Sequence, residues 1–253
     1  MNYRPTAAII LGAGRGTRLK NIASPYSKTI LEVNHFPVIG YTARSVELFV
    51  DRIILVAHPT TATDVSQAIL SSLRDRSKEL EVVMQSNPLG MADAMRIGFN
   101  ALKEDHTVVV LAGDNIILDE NNVKSTLDMV RHTENSRQTK LAWTFRELLP
   151  VEARRFSVYR ELGEGKGELI EKPASPPSRI CWCGPVAFHS SNEALTRIKT
   201  LSLSSRGEYE ATDLMNTYIS KGESSHIKLV GEWFDIGTPE SLEEARQTIQ
   251  NVC

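Results

Sequence analysis

The sequence predicts an α/β protein with a mixed, largely parallel twisted sheet flanked by helices, Rossmann-like in layout. Three observations carry this. Short apolar runs alternate with amphipathic segments through the first half of the 253-residue chain. The runs are continuously apolar, as strands buried on both faces must be. A glycine-rich segment follows the first run at once, where α/β folds keep their ligand crevice.

Ala7 to Leu11, Arg52 to Ala57, Leu80 to Met84 and Thr107 to Leu111 read as the buried strands. Between them, Val38 to Phe49, Thr63 to Leu73 and Met91 to Leu102 place apolar residues at helical spacing. Strand, helix and strand in succession predict parallel pairing with helices on both faces, and a crevice at the carboxyl ends of the strands. The second half is more mixed. Ala142 to Arg146, Ser157 to Arg160, Gly167 to Glu171 and Arg179 to Val186 read as strands, with a loop at Pro173 to Pro177. Helices follow at about Asn192 to Lys199 and Glu210 to Ser220, then a strand at His226 to Val230. The last helix starts near Pro239, a favoured first-turn residue, with Thr238 as its N-cap. No repeat or low-complexity linker interrupts the chain, so residues 1–253 are expected to form a single domain.

At 41% hydrophobic and 24% charged residues, the composition excludes a disordered tail, a collagen-like rod and a small disulfide scaffold. A formal net charge of -2 gives no footprint of a nucleic-acid binder, so an anionic ligand must be held by local cations. No apolar run reaches bilayer length, and none resembles a signal peptide, so no membrane partner is expected. The cysteines are Cys181, Cys183 and Cys253; an odd number, two of them one residue apart, argues for a reducing, cytoplasmic setting.

Leu11-Gly12-Ala13-Gly14-Arg15-Gly16-Thr17-Arg18-Leu19 follows the first strand. Its glycines let the backbone turn sharply and bring N–H groups against a phosphate. The spacing is neither the dinucleotide fingerprint nor a Walker loop. Arg18 within the segment and Lys28 beyond it supply two cations suited to a triphosphate. Gln85, at the end of the third strand, offers an acceptor and two donors to a nucleobase edge. Uracil, thymine, guanine and, with the amide reversed, cytosine all fit it. Asp114 ends a buried strand, where a carboxylate needs a cation. Asp235 lies between Phe234 and Ile236 and is expected to be partly buried. Cys181 and Cys183 are only two ligands and read as small buried strand residues. The run Arg74 to Lys78 reads as a solvated helix end. Ser-His-Asp and Cys-His chemistry find no local support.

The glycine loop with Ser27-Lys28 resembles the signature of the sugar-1-phosphate nucleotidyltransferases, most nearly the glucose-1-phosphate thymidylyltransferases. Five further stretches match in order between Ala7 and about Ala245. They contain Gln85 with Gly90, Asp114, Glu171-Lys172-Pro173, Ser205 to Asp213, and Trp233-Phe234-Asp235-Ile236-Gly237-Thr238. The resemblance implies NTP and a sugar-1-phosphate or cyclitol phosphate as substrates, and NDP-sugar plus pyrophosphate as products. It implies a nucleotide site at Leu11, Gly12, Ala13, Gly14, Gly16, Thr17, Gln85 and Gly90, with dTTP or UTP favoured over GTP or CTP. Arg18, Lys28, Asp114 and Asp235 inherit the catalytic roles, with Mg²⁺ on the two aspartates. Ser157, Glu171, Lys172, Arg206 and Trp233 inherit the sugar-phosphate site. Residues 1–115 then form mainly the NTP-binding half and 116–253 mainly the acceptor half.

Four departures bear on specificity. Ala13 stands where a second adjacent Gly is usual, and Glu32 replaces a frequent Pro. Ser157 and Cys183-Gly184-Pro185 differ from the family in the sugar pocket. Longer members add helices that form a regulatory nucleotide site, which this chain is expected to lack; homo-oligomers are common in the family and are among the expectations. Three other readings make different demands. A nucleotide-sugar-dependent glycosyltransferase calls for an Asp-x-Asp motif, a non-catalytic NDP-sugar sensor for loss of a cation or carboxylate, and an NAD oxidoreductase for different glycine spacing.

Overall fold

The computed structural model describes residues 4–19, 21–131, 139–163 and 166–250; Cys253 lies outside the described residues. The first apolar run forms strand β1 (Thr6–Leu11). Ala7 and Ile9 face one side, Ala8 and Ile10 the other, and all four are fully buried. A strand with no solvent face requires helices on both sides, and the chain supplies them.

A short hairpin, β2 (Glu32–Val33) and β3 (Phe36–Pro37), leads into helix α1 (Val38–Val46). Strand β4 (Arg52–Ala57), helix α2 (Ala62–Ser72), strand β5 (Leu80–Met84), helix α3 (Met91–Ala101) and strand β6 (Thr107–Ala112) complete the alternating half. Then come β7 (Asn115–Ile117), α4 (Asn121–Arg131), β8 (Leu141–Glu147), the short α5 (Pro150–Ala153), β9 (Ser157–Gly163), β10 (Lys166–Glu171) and β11 (Ile180–Phe188). The chain continues through α6 (Ser191–Ile198), α7 (Ala211–Ile219), β12 (Ser224–Lys228), β13 (Trp233–Asp235) and α8 (Pro239–Gln250).

Among the described residues the main sheet has nine strands, ordered β10-β9-β11-β6-β1-β4-β5, with β8 on β11 and β12 on β8. β6, β1, β4 and β5 are parallel, and β11 runs antiparallel to β6. The sheet is mixed, and it is parallel through β6, β1, β4 and β5, as the sequence predicts. Helices α1, α2 and α4 cover one face; α3, α6 and α7 cover the other. A third cluster, Leu19, Val33, Val38, Ile116, Phe234 and Ile236, seats α8 against the hairpin and β7. Among the described residues no helix is long and apolar enough to cross a membrane.

Several expectations are corrected. The helix expected over Val38 to Phe49 ends at Val46 and closes in a tighter turn, the Phe49 N–H donating to the Val46 carbonyl at 2.9 Å; in that turn Glu47 is buried and its carboxylate pairs with Arg74 at 3.1 Å. Arg74 and Lys78 are therefore not simply a solvated helix end. They lie beyond α2, where Arg74 also reaches Glu120 at 3.0 Å and Lys78 donates to the Val50 carbonyl. The strand expected at His226 to Val230 begins at Ser224, since its register is set by parallel pairing with β8 rather than by apolar content. Helix α4 went unread, although Val123, Leu127 and Val130 carry the helical spacing that buries one face. The ribbon of β7 and β13 is too short for periodicity to show. Thr238 caps α8 as expected, accepting from the Ser241 N–H at 3.2 Å.

Candidate active site

The crevice lies where β1 and β6 end, and it is built around the glycine loop. Gly12 donates its N–H to the Val56 carbonyl at 2.7 Å, so that donor extends the sheet rather than facing the crevice. The loop then leaves the sheet and closes on a short 3-10 turn, Thr17–Leu19. Gly16 has φ +66°, and a Cβ there would meet the Lys28 stem at 3.3 Å. The loop is thus folded over the lysine. Leu11, Ala13, Gly14, Gly16, Thr17, Lys28, Gln85 and Gly90 line one cavity of about 440 Å³.

Lys28 begins a second 3-10 turn and reaches the Asp114 carboxylate. Burial works against its charge, but Asp114 outweighs burial and holds the ammonium above its ordinary range. Antiparallel pairing of β13 with β7 sets Asp235 opposite Asn115, beside Asp114. Burial, and then the Asp114 carboxylate, push Asp235 up to about 6; Lys28, Arg18 and Arg155 oppose the shift. Two carboxylates forced together in this way are the donor set of a hard divalent cation. Among the described residues no group of three or more His, Cys, Asp or Glu forms a metal cage, so the remaining ligands would have to be phosphate or water oxygens. The residues fit a phosphate-bridging metal and do not fit a closed structural one.

A second cavity of about 270 Å³ meets the first at Lys28 and Asp114. It holds Ser157, Glu171, Lys172, Trp233, Asp235, Arg18 and Arg155. Glu171 is its best-held group. Ser157 Oγ and Thr212 Oγ1 each donate to Oε2 at 2.6 Å. Lys172 Nζ and Arg206 Nη1 lie 3.0 and 3.1 Å from Oε1. Burial alone would raise Glu171; Lys172 and the two hydroxyls outweigh it and keep the carboxyl below its ordinary range. Lys172 takes φ +43°, a left-handed conformation uncommon for a side-chain-bearing residue, so the chain is strained where the cation is presented. Arg206 sits at the rim and also pairs with Glu208 at 3.2 Å. Trp233 is nearly buried, its Nε1 donating to Asn115 Oδ1 at 2.9 Å.

β11 is irregular between Trp182 and Val186, which turns Cys183 and Gly184 into this cavity. Burial raises both thiols, Cys181 to about 11, so neither is an available nucleophile. The structure thus brings every expected residue to the two cavities or their rim, Gly12 contributing backbone to the sheet. Sequence reasoning assigned no part to Asp93 or Arg155, and it placed Thr212 only within the Ser205 to Asp213 stretch, without the bond to Glu171. Arg155 Nη2 lies 3.5 Å from Asp235, and Asp93 accepts from Gln85 Nε2 at 2.8 Å. For Asp93 and Arg155 the only signal was proximity to motif residues.

Residues 7–252 match the family model described as Nucleotidyl transferase. A glucose-1-phosphate thymidylyltransferase of Neisseria gonorrhoeae is 31% identical over 252 residues, covering 96% of this chain and 83% of its own. The UTP–glucose-1-phosphate uridylyltransferase AglF of Haloferax volcanii is 26% identical and covers 96% of both chains. A UDP-glucose pyrophosphorylase solved with UDP-glucose superposes with TM-score 0.80 over 98% of this chain; at 17% identity it speaks for the fold alone. The chain belongs to the nucleotidyl transferase family.

Proposed function

We propose that this member of the nucleotidyl transferase family is a sugar-1-phosphate nucleotidyltransferase, joining a nucleotidyl group from dTTP or UTP to a sugar-1-phosphate. The observation that carries the reading is the meeting of two cavities at Lys28 and Asp114, one walled by the glycine loop and the other by Glu171 and Lys172. A donor triphosphate and an acceptor phosphate would face each other there. The thymidylyl and uridylyl relatives support the chemistry and both bases.

An oxygen of the acceptor phosphate attacks the α-phosphorus, the bond to the β-phosphate oxygen breaks, and pyrophosphate leaves. The acceptor is already ionised near neutral pH, so no general base is required. Arg18 and Lys28 hold the triphosphate, while Lys172 and Arg206 bring in the acceptor and offset its repulsion by the donor. Glu171, fixed by Ser157 and Thr212, receives sugar hydroxyls, and Trp233 walls the pocket. Asp114 and Asp235 would hold Mg²⁺, which supplies charge neutralisation at the phosphates. Residues 1–115 serve the nucleotide and 116–253 mainly the acceptor. Free, unreactive Cys181 and Cys183 support a cytoplasmic setting.

The test is pyrophosphate release with Mg²⁺ across common NTPs and a panel of sugar-1-phosphates. Release that requires both substrates, and that ceases on chelation, is the expected result. Asp114→Asn should lower kcat by about a hundredfold or more with its unfolding midpoint nearly kept. Unchanged turnover in that variant would refute the assignment of Asp114.

A further inference from the structure

The loop-lined cavity has two kinds of lining. Gly14 and Gly16, packed on the Lys28 stem, bring backbone and a cation, while Leu11, Pro88, Met91 and Ala94 are apolar and Gln85 is a neutral amide. On the nucleotide reading given above, a flat heterocycle belongs against the apolar residues and Gln85. What Gln85 offers such a ring depends on which way its amide is turned, and the turn is fixed by a neighbour.

Gln85 is 3% exposed and Asp93, in the first turn of α3, is 5% exposed. Gln85 Nε2 donates to Asp93 Oδ2 at 2.8 Å and also lies 3.3 Å from the Gly90 carbonyl. Both partners can only accept, so the atom facing them has to be the amino nitrogen. Asp93 is held in turn, its Oδ1 receiving Arg96 Nη2 at 2.6 Å and Nε at 3.2 Å. Reversing the Gln85 amide would set its oxygen against a buried carboxylate and a carbonyl, leaving three acceptors with no hydrogen between them. Among the described residues no donor reaches Gln85 Oε1, and this atom is not sealed away from the cavity.

We propose that Asp93 is a positioning residue that holds the Gln85 amide in one orientation, so that its carbonyl and not its amino group addresses the nucleobase. A base in that seat must carry a ring N–H toward Gln85, as uracil and thymine do at N3. Cytosine in the same seat points a bare N3 lone pair at Oε1. The discrimination arises from a carboxylate that never touches the base, and it depends on the charge of Asp93, since an asparagine there can turn either face to Gln85.

The test compares UTP and CTP binding by calorimetry in the wild type and in Asp93→Asn, an isosteric change, with thermal unfolding measured alongside. The wild type should bind UTP at least about tenfold more tightly than CTP, the worth of one well-made hydrogen bond. Asp93→Asn should bring the two within about threefold, chiefly by weakening UTP. In turnover, its KM for UTP should rise while kcat changes little. If the asparagine variant fails to fold, Asp93→Ala, which also frees the amide, carries the same expectation. A ratio unchanged in the folded variant overturns the role of Asp93, and so does a wild type that prefers CTP. A wild type that binds neither nucleotide overturns the nucleotide reading itself, and this one with it.

Discussion

Gly237 shows how closely the catalytic side chains are set. A Cβ there would lie 2.8 Å from Arg18 Nη2 and 2.9 Å from Asp235 Oδ2, so only a hydrogen fits between the guanidinium and the carboxylate. Both threatened atoms are side-chain ends, which can move without breaking the core. Gly237→Ala should therefore cost little stability, about 1 kcal/mol or less, yet lower kcat at least about tenfold by displacing two site groups together. Melting and turnover measured on the same preparation check this; a variant with wild-type kcat would show that Arg18 and Asp235 have slack. Arg18, Lys28, Glu171 and Lys172 were legible as site residues because each stands within a motif. Thr212 stands in a matched stretch too, yet its bond to Glu171, like that of Asp93 to Gln85, depends on which side chain it touches, and no motif states that.

At the scale of elements, the start of α3 ties the two halves of the site together. Tyr209 donates its N–H to the Leu89 carbonyl at 2.8 Å and accepts from the Ala92 N–H at 3.0 Å. Gly90, between them, has φ +109°, and a Cβ there would stand 2.6 Å from the Tyr209 carbonyl oxygen. Neither the backbone angle nor the clash can be relieved by a side-chain rotation. Gly90→Ala should destabilise the protein by roughly 2 kcal/mol and raise KM for both the nucleotide and the acceptor, since one segment borders each cavity. A change confined to the nucleotide KM would show that the 205–213 segment is independent of α3. The parallel strands were readable from the sequence because each is buried on both faces and so continuously apolar. The β7–β13 ribbon was not, because three residues with one partner strand carry no periodic signal, although this ribbon is what places Asp235 beside Asp114.

Across the whole molecule, charge is arranged to hold the far end of the sheet. Lys140, just before β8, lies 3.1 Å from Glu193 on α6 and 3.0 Å from Glu223 before β12. Arg197 joins the same two carboxylates at 2.5 and 2.6 Å. Burial would raise Glu223, but Arg197 and Lys140 outweigh it and lower its pKa below the ordinary 4.5. A carboxyl depressed on folding contributes stability that is complete above 4.5 and is lost as pH falls through the lowered value. Glu223→Gln should therefore be less stable than wild type at pH 7, by roughly 1 kcal/mol, and the gap should close as pH falls through that lowered value. A gap independent of pH would assign the loss to packing. The sequence by itself determined the alternation of strands and helices, the glycine loop and the cations and carboxylates available, since these follow from local periodicity and residue chemistry. Only the tertiary structure decided that Asp235 meets Asp114, that Ser157 and Thr212 share one oxygen of Glu171, and that Gln85 is turned by Asp93. Those are contacts between residues distant in the chain or on opposite sides of a turn. Strand register and helix packing set their distances, and neither is written in any single segment.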